Sequence, residues 1–399
     1  MTENSARSSE SEIIIVKTAG TTLPRRSRKA DAESIDMRLL RTISGIVPAD
    51  LPPISRLGLE TTLAAMADAS KAAIAADLDC WRDWCSEEGR TPLPADPEDM
   101  VRYLNALDAR GKKPATLARR IASLGAVHRM VGLAGDTAPT DAPIVRAALK
   151  AVRRRRGARQ RQAAPLRLGK ALDPHLAKGF TLAALLDACG GDLQGLRDAA
   201  LLSLGYDAGL RVSELSGVED LHIDPQEDGS ATLFIPFSKT DQEQEGAWAW
   251  LSAETMRRVR AWEDASGIEE GPLFRRVGVD RRRARQSEPE AALARTTYTI
   301  GTAPLTRQGV NGIYRRVAYA AYELGLVTLP AGKLDDAVKA LSTHSLRVGL
   351  TQDLFAAGED GTSIAQALRW SSPTTALRYG RKLAVRSNVA ARVLSRVRG

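Results

Sequence analysis

The stretch GLRDAALLSLGYDAGLRVSEL, from Gly195 to Leu215, decides the fold class of this chain. Up to Gly209 its apolar residues recur at helical spacing, which predicts a helix that ends at the glycine. Arg211 then lies near the start of a second helix, and Glu214 falls on the same helical face. A carboxylate in that position can hold a guanidinium in one orientation, although the same spacing is common in surface ion pairs.

Downstream of this stretch, three short segments have strand character: Asp220 to Asp224, Ala231 to Phe237 and Ala247 to Leu251. The second and third alternate apolar residues with others, so we predict a small antiparallel sheet. Helical spacing then resumes to the C-terminus. Residues 275–303 are polar and show no clear period, which predicts an insertion that contains a loop.

Upstream, several helical segments joined by short loops predict a bundle. They run over Leu57–Gly89, Asp96–Ala109, Lys113–Val131 and Ile144–Arg156. We therefore expect a mainly α (α+β) protein, with an N-terminal helical bundle and a mostly helical C-terminal domain that carries a small antiparallel sheet. Residues 1–52 are rich in Ser, Thr, Arg and Glu, and we expect a mobile tail with one short helix near residues 34–46.

Charge indicates the class of partner. Lys and Arg total 57 against 48 acidic residues, so the formal net charge is +9, as in many proteins that bind nucleic acid. The segment from Ala151 to Lys170 is the most basic and contains no acidic residue, and its arginines include Arg153, Arg154 and Arg167. Such a run is often only a solvated face, but here it lies where helical spacing stops. We predict a cationic linker that follows phosphates along a duplex.

These observations give domain boundaries: a tail over residues 1–52, a helical bundle over 53–157, a basic linker over 158–175 and a C-terminal domain over 176–399. The chain has 3 cysteines and 4 histidines without the spacing of a zinc or redox motif, so we expect no metal site. No nucleotide-binding glycine motif appears, so we expect no cofactor. Neither a signal peptide nor an apolar run of membrane length is visible, which predicts a cytoplasmic protein.

Two further motifs contain residues that suit phosphate chemistry. In Ser342 to Gly349, His344 and Arg347 share a helical face, and an Arg offers planar donors to phosphate oxygens while a His can donate or shuttle a proton. In the second motif, Tyr379 lies among Arg378, Arg381 and other polar residues, which is unusual for a core aromatic. Each motif occurs by chance in many proteins, so neither identifies a function alone.

The order of the motifs is more specific than any one of them. Arg211, Lys239, His344-x-x-Arg347, Trp370 and Tyr379 follow one another in the C-terminal half of a basic chain. This order resembles the tyrosine recombinase (phage integrase) family, and in particular its Cre-like branch. The resemblance extends from about residue 55 to the end and includes the Cys-Trp-Arg-Asp-Trp-Cys stretch at 80–85. Many family members have a second His where this chain has Trp370, and the Cre-like branch has Trp.

The resemblance implies a catalytic role for each of these residues. Tyr379 would attack the DNA phosphate, and Arg211 and Arg347 would hold its oxygens. His344 would donate a hydrogen bond or transfer a proton, and the Trp370 indole would donate another hydrogen bond. The general acid for the 5′-hydroxyl would be Lys239, and Glu214 would orient Arg211. The scheme needs neither metal nor nucleotide.

The resemblance also implies partners. They are a double-stranded DNA site, with inverted repeats expected, and three further copies of the chain, joined through a helix at Ser387–Val397 that docks into a neighbouring protomer. The bundle would be a SAM-like core-binding domain. The candidate DNA-binding residues are Ser70, Lys71, Lys113, Arg119, Arg120, Arg153, Arg154, Arg307, Gln308 and Asn311.

Two other functions share part of this pattern. A hairpin-forming telomere resolvase or a type IB topoisomerase would use the same residues but would resolve the covalent intermediate differently. A DNA-binding regulator could keep the fold without catalysis, and it would be expected to lose one or more of the six catalytic residues. Here all six residue types are present.

Overall fold

The structure is a computed structural model of the chain, and it describes residues 13–18, 34–47, 56–133, 138–157, 162–169, 179–238, 245–282, 295–330, 332–386 and 389–398. The chain divides into two compact units. Residues 24–161 form the small unit, and residues 162–399 together with residues 1–23 form the large unit. No helix in the described segments is long and apolar enough to cross a membrane.

The small unit is a bundle of helices, as the sequence predicts. They are α1 (Ile35–Ser44), α2 (Arg56–Ala64), α3 (Asp68–Glu87), α4 (Pro97–Ala109), α5 (Pro114–Met130) and α6 (Pro143–Arg156). Three of them begin with proline, whose missing N–H and fixed φ suit the first helical position. The core forms around Trp81, which is fully buried and lies 5.2 Å from Trp84 and 5.1 Å from Tyr103 between ring centroids.

The large unit is mostly helical and carries two small sheets. Its helices are α7 (Leu182–Asp187), α8 (Leu193–Asp207), α9 (Val212–Ser216), α10 (Ala253–Ser266), α11 (Arg307–Glu323), α12 (Leu334–Ala340), α13 (Ser345–Ala356), α14 (Gly361–Ala367), α15 (Pro373–Arg386) and α16 (Val389–Arg398). Its strands are β1 (Ile13–Thr18), β2 (Ile223–Pro225), β3 (Ala231–Ile235), β4 (Ala247–Leu251), β5 (Arg275–Arg282) and β6 (Arg295–Pro304). Helix α8 is buried on nearly all sides and packs against α10 and α13, so it forms the centre of the core.

The predicted antiparallel sheet is present, with the order β2-β3-β4. Leu233, opposite Ala249, faces the core, whereas Trp248 and Trp250 point outward and are more than half exposed. Residues 220–222 form a 3₁₀ turn instead of the predicted strand start, because the His222 ring accepts a hydrogen bond from the Glu219 N–H and closes a turn there.

The second sheet, β1-β6-β5, corrects two predictions. The prediction for residues 275–303, an insertion that contains a loop, missed two strands, because most of these residues belong to β5 and β6, which pair antiparallel. Thr296, Tyr298 and Ile300 are buried in alternation with more exposed threonines, a strand pattern that the surrounding arginines obscured. Residues 1–52 are not wholly an unstructured tail either. Residues 13–18 form β1, which pairs parallel with β6, and the helix expected near residues 34–46 is α1.

The described part of the predicted linker, residues 162–169, packs on the large unit. The Leu166 N–H donates to the Ser345 carbonyl over 2.9 Å. Arg167 is buried, and its Nε donates to Asp353 Oδ1 over 2.6 Å. Arg167, counted in the basic run predicted to follow phosphates, has an internal partner instead, since a buried carboxylate needs one.

Candidate active site

Arg211 and Glu214 meet where α8 gives way to α9. The chain turns at Gly209, whose φ of +55° favours glycine, and Arg211 occupies the residue before α9. Its Nη1 donates to Glu214 Oε1 over 2.7 Å, and its backbone N–H donates to Oε2 over 2.9 Å. The Glu214 carboxylate is fully buried, so this pair is not a surface ion pair. The carboxylate instead holds the Arg211 guanidinium in one orientation.

Arg347, in the first turn of α13, connects two loops of the site. It is 2% exposed, and its two terminal nitrogens donate to the carbonyls of Gly209 and Leu368. Burial and the charge of Arg211 lower the pKa of Arg347 to about 9, while Glu214 opposes this shift. A pKa of about 9 still leaves the guanidinium charged at neutral pH, so Arg347 remains a cation with little freedom to move.

His344 lies immediately before α13 and is exposed. Partial loss of hydration lowers its pKa, and the positive charges of Arg347, Arg211 and Arg307 lower it further, whereas Glu214 raises it. The net direction is downward, so the imidazole is neutral at pH 7 and can accept a proton.

Trp370 brings the tyrosine and the arginine of this site together. Its ring stacks on Tyr379 of α15, with centroids 5.5 Å apart and an angle of 15° between the planes. The guanidinium carbon of Arg347 lies 5.0 Å from the Trp370 ring centroid, within the range of a cation–π contact. The backbone of Tyr379 is also held, because Gln352 Nε2 donates to its carbonyl over 3.3 Å. Five of the six predicted catalytic residues therefore converge.

The sixth, Lys239, lies outside the described residues. Its neighbour Ser238 is part of the site: Arg211 Nη1 donates to its Oγ over 2.8 Å, and that hydroxyl donates to Glu214 Oε1 over 3.0 Å. Sequence reasoning missed Ser238, although it directly precedes Lys239 in the sequence. The only available signal was this adjacency.

Arg369 is a second residue that sequence reasoning missed. It lies between Leu368 and Trp370, and its Nη2 is 3.5 Å from Glu214 Oε2. The site thus holds three arginines around one carboxylate, of which only two were predicted.

The helix with the predicted base-reading residues begins at Arg307, and Thr306 caps it by accepting the Gly309 N–H over 3.1 Å. Arg307 and Gln308 are exposed there, as a DNA contact requires. Asn311 differs, because its Oδ1 accepts the Thr343 N–H over 3.1 Å and so helps to fix the loop before His344.

In the small unit, Lys71 contradicts its predicted role as a DNA contact. Its side chain is 6% exposed, and its Nζ lies 2.7 Å from Asp36 and 3.3 Å from Asp68. Its hydrogen bond to Asp36 raises the pKa of Lys71, which stabilises the buried cation. The sequence hid this pairing because Asp36 lies in another helix. Ser70 beside it and Lys113 are exposed.

Arg119 and Arg120 also have protein partners. Arg119 Nη1 donates to the buried Asp77 over 2.6 Å, and Arg120 Nη1 donates to the Tyr103 hydroxyl over 2.8 Å. Arg119 still has an exposed side chain, whereas Arg120 is largely covered. Of this pair, only Arg119 is well placed to meet a partner.

Arg153 and Arg154 are exposed at the end of α6. The next two arginines differ, since Arg155 and Arg156 both form ion pairs with Asp108. Four consecutive arginines thus divide into two that have an internal partner and two that face solvent. The described segments contain no group of three or more His, Cys, Asp or Glu side chains that could hold a metal ion.

Comparisons with known proteins agree with this geometry. Residues 178–385 match the model of the phage integrase family, and residues 64–132 match the N-terminal SAM-like domain of phage integrases. An integrase/recombinase xerD homolog from Selenomonas ruminantium is 36% identical over 219 residues, which cover 53% of this chain and 60% of that protein. Recombinase cre of Escherichia phage P1 is 27% identical over 323 residues, covering 79% of this chain and 84% of that protein.

Solved structures support the fold. XerH site-specific recombinase bound to palindromic difH substrate superposes with a TM-score of 0.54 at 14% identity, covering 90% of this chain and 95% of that one. The Tn1549 transposon integrase in complex with transposon right end DNA has the same TM-score and identity, covering 92% and 100%. The family model spans just over half of the chain and includes the residues of the candidate active site from Arg211 to Tyr379. This chain therefore belongs to the phage integrase family of tyrosine recombinases.

Proposed function

We propose that this chain is a site-specific DNA recombinase that cuts and rejoins strands through a covalent bond to Tyr379. The observation that carries the proposal is the convergence of two largely buried guanidinia, a neutral imidazole and a tyrosine in one site. Buried donors that are already oriented can stabilise the negative charge that develops on a phosphate under attack. Their partners Glu214 and the carbonyls of Gly209 and Leu368 prevent them from reorienting.

In the cleavage step, Tyr379 Oη forms a bond to the phosphorus while the bond from phosphorus to the 5′-oxygen breaks. The phenol proton passes to the neutral His344, and the 5′-oxygen takes a proton from Lys239, so the charges balance. Arg211 and Arg347 hold the nonbridging oxygens throughout. The product is a 3′-phosphotyrosyl bond and a free 5′-hydroxyl.

Rejoining reverses these steps. A 5′-hydroxyl from a second duplex attacks the phosphotyrosyl bond, Tyr379 leaves as a phenol, and the protons return along the same path. The phosphotyrosyl ester retains the energy of the broken phosphodiester, so the exchange requires no nucleotide.

The DNA contacts belong to the same proposal. On the large unit, Arg307 and Gln308 are exposed at the start of α11, where Arg suits guanine and Gln suits adenine. On the small unit, the exposed candidates for phosphate contact are Ser70, Lys113, Arg119, Arg153 and Arg154. A site of two inverted repeats would match a pair of protomers related by a two-fold axis.

We further propose that four protomers assemble on two duplexes through α16. Val393, Leu394 and Val397 of this helix are 51%, 48% and 75% exposed, so its apolar face is free to dock on a neighbouring protomer. A head-to-tail exchange of one helix forms a ring when the rotation between protomers closes. Deletion of residues 387–399 should leave DNA binding intact while the complex sediments as a smaller species. An unchanged sedimentation coefficient would refute docking through α16.

The covalent bond is tested with labelled nicked duplexes from the replicon that carries this chain. Wild-type protein should form a protein–DNA band that resists SDS, and Tyr379→Phe should form none. Tyr322→Phe is the matched control, because Tyr322 is a partly exposed tyrosine of α11 away from the proposed chemistry. Tight specific binding without such a band for wild type would favour a DNA-binding regulator instead.

A further inference from the structure

Arg369 has an unusual backbone conformation. Its φ is +54°, and among the described residues it is the only non-glycine with a positive φ. The left-handed region is unfavourable for a side chain with a Cβ, and a glycine would adopt it without strain. The surroundings must therefore hold Arg369 there, directly beside Trp370.

The side chain of Arg369 is also costly to bury. It is 11% exposed, and its Nη2 donates to the Ala208 carbonyl over 3.0 Å and approaches Glu214 Oε2 at 3.5 Å. Its Nε and Nη1 are buried and meet no hydrogen-bond acceptor in the part of the chain that the structure describes. Strain together with unsatisfied donors at one residue is more typical of a functional site than of a core.

The contacts of Arg369 lead to Arg211 by two routes. The first is Glu214, which binds Arg211 on both carboxylate oxygens and has Arg369 beside one of them. The second is the turn before Arg211, where Arg369 holds the Ala208 carbonyl and Arg347 holds the Gly209 carbonyl. Arg369 therefore contacts both the carboxylate and the turn that hold Arg211.

Charge gives the arrangement a further property. Arg211, Arg347 and Arg369 carry three positive charges around the single negative charge of Glu214. Repulsion between the guanidinia therefore opposes the empty site, and a bound phosphate would relieve it. A group that only stabilised the fold would not be expected to combine like charges, a strained backbone and unsatisfied donors.

We propose that Arg369 is a positioning residue for strand cleavage, which acts through Glu214 to hold Arg211 in its phosphate-binding orientation. The inference rests on the proposed function above and adds to it a residue that touches no DNA. It predicts that loss of the guanidinium impairs chemistry without impairing DNA binding or stability.

The first experiment replaces Arg369 by Gly, which accepts a φ of +54°, and by Ala, which keeps the strain. Single-turnover cleavage of a nicked duplex should slow for both by the same factor, on the order of 10- to 100-fold. The gel-shift Kd should stay within about twofold of wild type, since a positioning residue contributes little to ground-state binding. The Tm of Arg369→Gly should not fall, because the glycine relieves strain.

The second experiment separates positioning from a structural role by a double-mutant cycle with Glu214→Gln. If Arg369 acts mainly through Glu214, the double mutant Glu214→Gln with Arg369→Gly should lose much less than the product of the two single losses in cleavage rate. Arg369→Lys should cleave faster than Arg369→Gly, because it keeps the charge and one donor nitrogen. Arg257→Ala, which removes an exposed arginine of α10, is the control that should cleave at the wild-type rate.

Two results would overturn the inference. One is a cleavage rate of Arg369→Gly within twofold of wild type. The other is a lower Tm of Arg369→Gly together with losses in cleavage rate that multiply in the double mutant. The proposed function is tested separately, by whether wild-type protein forms the covalent complex. If wild type forms no covalent complex while it binds DNA, the recombinase proposal fails and the role of Arg369 in cleavage fails with it.

Discussion

Two groups of arginines in this protein differ in almost every respect except charge. At the end of α6, four arginines follow one another, all are exposed, and two of them bind Asp108. In the site, Arg211, Arg347 and Arg369 are far apart in the sequence and largely buried. A dense run of charge suits attraction to phosphates of any sequence, whereas a reaction needs few charges held in fixed directions.

The exposed group also has a local reason to exist. Cations in the last turn of a helix interact favourably with its dipole, and the α6 arginines occupy that position. The buried group has no such local benefit, because each guanidinium loses its hydration and must find partners in distant segments. Substitutions in the two groups should therefore separate DNA binding from chemistry.

The largest effect is expected at Arg347. Arg347→Ala should slow single-turnover cleavage by about 10³-fold, because it removes a fixed charge from the developing phosphate charge. It should also lower the free energy of unfolding by about 3 kcal/mol, since the Gly209 and Leu368 carbonyls lose their donor. Urea unfolding measures the second effect. If Arg347→Ala cleaves within tenfold of the wild-type rate, the scissile phosphate does not bind at Arg347.

Glu214→Gln should have the next largest effect, slowing cleavage on the order of 10²-fold through misorientation of Arg211. The amide keeps the shape but cannot accept two charged donors as a carboxylate does. Gel-shift titration should show unchanged DNA affinity. A large loss of DNA affinity with a normal cleavage rate at saturating protein would mean that Glu214 serves DNA binding. The buried arginines would then not be reserved for chemistry.

Removing the exposed pair, Arg153→Ala with Arg154→Ala, should weaken binding and leave chemistry intact. The slope of log Kobs against log salt should fall by about 2, one for each lost phosphate contact. Cleavage at saturating protein should match wild type. The matched control replaces Arg155 and Arg156, which are bound to Asp108, and should change the salt slope less.

The smallest effect on cleavage concerns its dependence on pH. Arg307 is one of three arginines whose charge lowers the pKa of His344, and it is exposed to solvent. Cleavage should decline as pH falls through the lowered pKa of His344, because protonated imidazole cannot accept the tyrosine proton. Arg307→Ala should raise that pKa and move the acid limb of the pH–rate profile upward by less than about 1 unit. A shift in the opposite direction would contradict the role of His344 as proton acceptor.

Stability should depend on pH through a different histidine. His128 is fully buried, and its Nε2 accepts the Ala95 N–H over 3.0 Å. Burial lowers its pKa, so the folded state binds fewer protons than the unfolded state. Stability is therefore complete above the unfolded value of about 6.5 and is lost as pH falls from there through the folded pKa. Chemical unfolding at several pH values measures this, and a midpoint that rises on acidification would contradict it.

Much of this molecule could be predicted because its signals are periodic or local. Helical spacing gave the bundle and most helices of the large unit, and strand alternation gave β3 and β4. The sequence spacing of Arg211 and Glu214 correctly placed them together. Residues from separate segments were grouped only through the family resemblance, since Arg347, Trp370 and Tyr379 show no local sign of their contact.

The misses have physical causes. The burial of Lys71 depends on Asp36 from another helix, and that of Arg167 on Asp353 from far along the chain. The site role of Arg369 depends on a backbone angle, which no residue type reveals when it is not glycine. Strands β5 and β6 were hidden because arginines flank the alternating residues.

The pairing of β1 with β6 has a consequence for synthesis. Thr18 aligns with Ile300, so about 280 residues must follow the first strand before its partner exists. At typical translation speeds this delay lasts on the order of tens of seconds, during which the small unit is already complete. The β1 segment thus leaves the ribosome early and stays unpaired until β6 has been synthesised. A nascent chain stalled before residue 295 should expose residues 13–18 to protease, and release at full length should protect them.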